Sequence, residues 1–312
     1  MPGNFLLNRL ALLSLFSLSL SAVPILEAQE MAADPPAIET VPPIQIVAAT
    51  RTFRDVEKEQ RLWWERVMVA PALARLEKRS DAPWAADARK LLADAPYIVF
   101  AEPWQDKPTE LQPIARRVVD GGCDDPAILI LAVFIDDKCD IDWKFAERAT
   151  SAALKTLEAD LGMPAVLSFF SHTLAAQANV RGLYQKKSLE SLEKIPAIII
   201  RMASDSSYLP NEEELFIRHL YLVNGTLNPI AGKILALAPQ LPLPDWVQQT
   251  LIGCCEQTIA RENEGADYEK HLDLVRTALA QAWKLNRSCP LAASRMISIG
   301  ASNSADGGTK RT

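Results

Sequence analysis

The feature that most restricts this chain is the return of apolar residues every three or four positions, in short runs opened by proline or an acidic residue. Over residues 143–161, Ala146, Ala149, Ala153, Leu157 and Leu161 follow steps of 3, 4, 4 and 4, which lays them along one face of an amphipathic helix. Asp142 stands where an N-cap oxygen belongs, and Gly162–Met163–Pro164 ends the run. Asp81–Ala82–Pro83, Lys107–Pro108, Asp125–Pro126, Met163–Pro164, Leu209–Pro210, Asn228–Pro229, Pro244–Asp245 and Cys289–Pro290 each precede a similar pattern. Proline suits a first helical turn, because the N–H it lacks would be unsatisfied there. The spacing predicts helices over 51–69, 83–94, 109–120, 126–136, 143–161, 164–181, 211–223, 229–238, 245–262, 267–285 and 290–299. Short connections between them place neighbours antiparallel.

Three segments resist this reading. Tyr97–Phe100, Ala127–Ile135 and Ala197–Ile200 are β-branched or aromatic, and periodicity alone does not separate a strand from a buried helix there. Were they strands, the chain would be α/β. Glycine is scarce, 12 residues in 312, which leaves few positive-φ turns and argues against many tight hairpins. The expected fold class is therefore all-α, an array of paired antiparallel helices. With 33 basic and 39 acidic residues the net charge is −6, which argues against a broad phosphate-binding surface and hence against nucleic acid as the main partner.

Residues 1–28 read as a signal peptide. Arg9 is the basic flank, Leu10–Leu20 the apolar core, and Ser19, Ser21, Ala22 and Ala28 the small residues near cleavage. As a helix that apolar core would cover about 16 Å, roughly half a bilayer, so no integral span is expected in the mature chain, which is exported to the periplasm, cell surface or extracellular space. Pro35, Pro36, Pro42 and Pro43 make 29–49 a stiff tether. Residues 50–300 form the helical domain, and 301–312 read as a disordered tail.

Residues 277–297 read TALAQAWKLNRSCPLAASRMI. Ala282, Leu285 and Asn286 end one helix, Pro290 opens the next, and Ala292 and Ala293 are its small positions. This resembles the junction between tetratricopeptide-type repeats, and Val118–Leu131, with Gly121, Gly122 and Asp125–Pro126 in its turn, resembles a second. Arg287 stands at the repeat's usual proline, and no period of about 34 residues runs through the chain. The resemblance implies a degenerate α-solenoid or curved bundle. It also implies a scaffold that binds protein in a concave groove.

Chemistry is sparse. His172, His219 and His271 are far apart in sequence and form no ligand spacing. His219 is expected on an amphipathic helix, half-buried or at the surface, or else facing a groove near Glu213 or Glu214. The five cysteines are Cys123, Cys139, Cys254, Cys255 and Cys289. Cys123 and Cys139 flank a helix at about 20 Å, and Cys254 and Cys255 fall mid-helix some 15 Å from where the next helix returns near Cys289, so no disulfide closes these local hairpins. Asp136, Asp137, Asp140 and Asp142 lack the spacing of a calcium loop and read as a solvated cap. Glu212–Glu213–Glu214 suit the positive end of a helix. Asn224–Gly225–Thr226 and Asn286–Arg287–Ser288 read as a helix stop and a turn. Trp63 and Trp64 point about 100° apart, so either both pack on different neighbours or one is exposed as a partner anchor. No catalytic, cofactor-binding or metal-binding residue is assigned. The expected function is an exported, non-catalytic protein-interaction scaffold. The alternatives are an α/α-type envelope hydrolase using Glu and His in a groove, and a structural envelope component.

Overall fold

The computed structural model describes residues 53–100, 109–139, 142–209, 212–222, 224–289 and 291–292. The leader, the tether, the tail, Asp140 and all but two residues of the helix expected over 290–299 lie outside them. Among the described residues every regular element is a helix. Helix α1, Phe53–Trp64, passes through a π-turn, Glu65–Val69, into α2, Ala70–Glu77. Then come α3, Ala85–Phe100, α4, Gln112–Asp120, α5, Pro126–Cys139, and α6, Trp143–Ala159. The long pair α7, Ala165–Arg181, and α8, Gln185–Ser204, precedes α9, Glu213–Leu222, and a single turn α10, Asn224–Leu227. Helix α11, Ala231–Leu237, sits between 3-10 turns, and α12, Asp245–Ala260, and α13, Gly265–Leu285, complete the order. Successive helices pack on one another from α3 to α8 and from α11 to α13, and α3 with α5, α5 with α7 and α9 with α12 close the layers. The protein is an all-α array.

The three ambiguous segments are helical, which removes the α/β alternative. Tyr97–Phe100 ends α3 and Ala127–Ile135 lies within α5. Every residue from Ala127 to Ile135 is buried except Phe134, which is partly so. A helix covered on all sides needs no polar face, so its sequence carries no period. Ala197–Ile200 belongs to α8, a helix the spacing did not predict, running through Pro196. Its buried Leu192, Ile195, Ile199 and Met202 recur at helical steps, and the internal proline, which removes one backbone bond to the preceding turn, hides that pattern. The first helical stretch also runs beyond the expected 69, to Glu77, because Pro71 falls in the first turn of α2, where proline fits.

Helix α6 follows its stripe. Asp142 caps it, accepting from the N–H of Lys144 at 2.9 Å and of Phe145 at 3.4 Å, and Ala146, Ala149, Ala153 and Leu157 are buried. Leu161 departs from the expectation: the helix ends at Ala159, and Leu161 is exposed beyond it. The acidic cluster also needs correction. Asp136 is fully buried rather than solvated. Its carboxylate accepts from Gln112 Nε2 at 2.9 Å, from the Arg116 guanidinium at 3.1 and 3.2 Å, and from the N–H of Asp142 at 2.8 Å. One side chain thus ties α4, the end of α5 and the start of α6 together. Asp137, nearer the surface, pairs with Arg181.

Asp136→Ala removes all four acceptor contacts at once. It is expected to cost about 2–3 kcal/mol in urea-denaturation midpoints, with Asp136→Asn, which keeps an acceptor, costing roughly half as much.

Candidate functional site

The residues singled out by chemistry do not converge. His219, on α9, lies in an aromatic enclosure, its ring centroid 4.2 Å from Trp63, 5.6 Å from Phe170 and 5.8 Å from Tyr208. Nδ1 is 3.0 Å from the Tyr208 hydroxyl, and Nε2 has no hydrogen-bond partner among the described residues. It is wholly buried, so it is neither a surface histidine nor one that faces a groove. Burial, aided by the charge of Arg218, pushes its pKa down to about 3 and keeps the ring neutral. Glu214, expected near its face, instead holds Arg218 at 2.7 Å. His172, on α7, is also buried, and desolvation, with Lys194 second, pushes it down to about 4 against the pull of Glu158. His271 belongs to a third place, where its Nδ1 lies 2.5 Å from Glu256 Oε2 and joins α13 to α12.

The tryptophan pair explains the enclosure. Both indoles are fully buried, and they stack on different rings. Trp63 stacks on Tyr208 at 5.7 Å, whereas Trp64 stacks on Phe170 at 5.8 Å and meets Phe134 edge-on at 6.3 Å. Trp63 Nε1 donates to the Ser207 carbonyl at 2.8 Å, and Arg66, from the π-turn, donates to that carbonyl at 3.1 Å and to Glu212 at 2.5 Å. The α8–α9 connection is thereby clamped to the first helix. Glu212, expected in a first helical turn, precedes α9 and works as this clamp.

No disulfide joins any of the five cysteines. Cys123 and Cys139 sit at opposite ends of α5, and Cys254 and Cys255 lie mid-helix in α12. Burial pushes Cys123 and Cys289 up to about 12 and Cys255 up as well, so these sulfurs stay protonated and unreactive. Beside Cys254 and Cys255 is a void of about 30 Å³ lined by Leu220, Ile234 and Leu251. The described residues bring no three metal-ligating side chains together. Asn286 makes a turn, its Oδ1 accepting from the N–H and hydroxyl of Ser288 at 3.0 and 2.6 Å.

A different feature, unforeseen in the sequence, is the tip between α7 and α8. Helix α7 stops with the Leu183 N–H on the Val180 carbonyl at 3.2 Å and the Tyr184 N–H on the Asn179 carbonyl at 2.7 Å, which requires a left-handed residue at 183. Glycine normally fills that place. Here it is Leu183, with φ +66°, and the glycine stands one residue earlier. Gly182 is needed where it is, because a Cβ there would lie 2.7 Å from the Trp143 ring. Helix α4 makes the same stop, with Gly122, at φ +83°, in the left-handed place. Around Leu183 the tip exposes Val180, Leu183, Tyr184 and Leu189 to 53%, 78%, 45% and 53% of their surface. Tyr184 leans on Trp143 at 6.0 Å, Lys144 lies over the Trp143 ring at 5.4 Å, and Lys187 over Tyr184 at 5.1 Å.

The chain matches no protein-family model, no curated protein and no solved structure.

Both depressed histidines make stability depend on pH in one direction. Their folded values, about 3 and about 4, lie below the ordinary 6.5, so below pH 6.5 the unfolded chain takes up protons that the folded chain refuses. Their contribution is complete above pH 6.5 and is lost as pH falls toward the folded values. Between pH 6.5 and 5 each is expected to remove roughly 1.5–2 kcal/mol. Urea denaturation across that range checks this, and His219→Phe should halve the slope.

Proposed function

We propose that the chain is an exported, non-catalytic interaction scaffold, a tetratricopeptide-like pairing of helices that docks another protein through the α7–α8 tip. The observation that carries this reading is Leu183: a large apolar side chain, 78% exposed, on a backbone conformation that costs a leucine about 1–2 kcal/mol and glycine almost nothing. Strain of this kind persists where the side chain has work outside the fold. The surrounding chemistry bears on the kind of partner. Val180, Tyr184 and Leu189 extend the apolar patch, and Lys144, Lys186 and Lys187 border it. An apolar pocket with an acidic rim on another envelope protein would complement both features. Supporting the non-catalytic part, His219 is closed off inside the core, and His172 and His271 have separate surroundings. The leader at 1–28 supports export.

A photoreactive residue placed at 183 in the native cell is expected to give one discrete adduct in the envelope fraction, and the same probe at Glu269, on α13, none. No adduct at 183, or the same adducts at both positions, would overturn the reading. Leu183→Gly separates stability from docking: it is expected to raise unfolding stability by about 1 kcal/mol while weakening capture of the adduct partner.

A further inference from the structure

A second recess lies on another side of the molecule, between the end of α2, the start of α3, the start of α5 and the end of α6. It encloses about 200 Å³, more than the ~150 Å³ that holds a benzene ring in a protein core. Its floor and its mouth differ in kind. Leu76, Trp84, Ile128 and Met163 make an apolar floor, with Thr156 at its side. Arg75, Lys78 and Arg79 are at the mouth with Asp124 and Asp125.

The hydrogen bonds decide what this mouth lacks. Asp125 is fully engaged: Oδ1 accepts from the N–H of Ala127 at 3.0 Å, the N–H of Ile128 at 3.3 Å and Arg75 Nη2 at 3.1 Å, and Oδ2 from Arg75 Nε at 2.6 Å. Asp124 is taken by Arg79. Three cations therefore face two carboxylates, each already paired with one of them, and a guanidinium has five N–H donors, of which Arg75 gives only two to Asp125. The surplus is positive and rich in donors, directly above an apolar floor. A bare inorganic anion would leave that floor wet, and a neutral apolar molecule would leave the donors to water.

We propose that this recess binds a small organic monocarboxylate, its acid group among Arg75, Lys78 and Arg79 and its apolar body against Trp84, Ile128 and Met163. The bidentate Arg75–Asp125 pair holds one guanidinium in a fixed orientation before the ligand arrives, which lowers the ordering cost of binding. The inference is independent of the α7–α8 tip, and either can fail without the other.

Benzoate and hexanoate serve as probes, titrated calorimetrically into the full chain, with benzyl alcohol as the neutral control and inorganic phosphate as the bare anion. Benzoate or hexanoate is expected to bind with a dissociation constant at or below about 1 mM, and benzyl alcohol and phosphate at least about tenfold more weakly. Lys78→Glu reverses an exposed charge at the mouth, and Thr156→Phe fills the interior. Each is expected to weaken the acid by about tenfold or more, a difference of about 1.4 kcal/mol, with unchanged far-ultraviolet dichroism. Lys78, being exposed, gives a variant that folds whether or not the Thr156 variant does. Failure of both acids to bind, equally tight binding of benzyl alcohol or phosphate, or undiminished binding to Lys78→Glu would overturn the proposal.

Discussion

A helix that is apolar on every side can be buried only if its two ends, where backbone groups have no partner inside the helix, are satisfied by something else that is also buried. Helix α5 meets that condition at its start with Asp125, while Asp136, near its other end, gathers donors from the neighbouring helices instead. At its start Asp125 takes up the free N–H groups of Ala127 and Ile128, and Arg75 of α2 neutralises it. At its end Asp136 is held by Gln112 and Arg116 of α4 and by the N–H of the residue that caps α6. The positions of α2, α4 and α6 follow from where those carboxylates must be met. Between the ends, each Leu, Ile or Val of α5 that leaves water contributes roughly 1.5–3 kcal/mol, an upper figure because the unfolded chain already hides some of that surface. The aspartates add little net energy of their own. What they set is the arrangement, since a misplaced neighbour would leave a buried charge alone.

The second half of the molecule is attached to this axis through rings. Phe134 of α5 meets both Trp64 and Phe170, and Trp64 and Phe170 each approach His219. Trp63 continues the cluster to Tyr208, which packs on Phe216. Four helices and one connection thus share a single aromatic core. Its cost is a histidine that must stay neutral and a phenol held well above its ordinary pKa by burial. The same burial that excludes water from His219 removes it from solution chemistry, so the most buried imidazole is the one least able to act on a substrate.

How far the sequence could be read depended on whether an element keeps one wet face. Helix α6 does, and its stripe, cap and end were legible to within a turn. Helix α5 does not, so Ala127–Ile135 looked as much like a strand as a helix. Asp136 misled for a related reason: a carboxylate between Ile135 and Asp137 reads as the polar end of a helix, and only the three-dimensional return of Arg116 and Gln112 shows why it can be dry. Helix α8 carried a sound apolar period that Pro196 concealed. Trp63 and Trp64 were readable as a pair with two different neighbours, although not which ones. The tip at Leu183 left no local sign, because Gly–Leu after a helix ordinarily puts the glycine in the left-handed place.

Two helix stops in this protein solve the same backbone problem differently, and the difference is informative. Both have a glycine with a tryptophan against it: Gly121 beside Trp84, where an added Cβ would lie 3.1 Å from the Trp84 Cβ, and Gly182 beside Trp143. After α4 a second glycine follows and takes the left-handed conformation without strain. After α7 a leucine takes it. Packing against Trp143 explains Gly182, and nothing among the described residues explains Leu183, whose side chain is mostly in solvent. Solvent exposure gives a leucine no compensation for its strained backbone, and burial against another surface would. The turn after α4 is what stability alone would build. The turn after α7 sets a strained residue at the centre of a patch of apolar side chains and lysines, where a second surface could recover the cost.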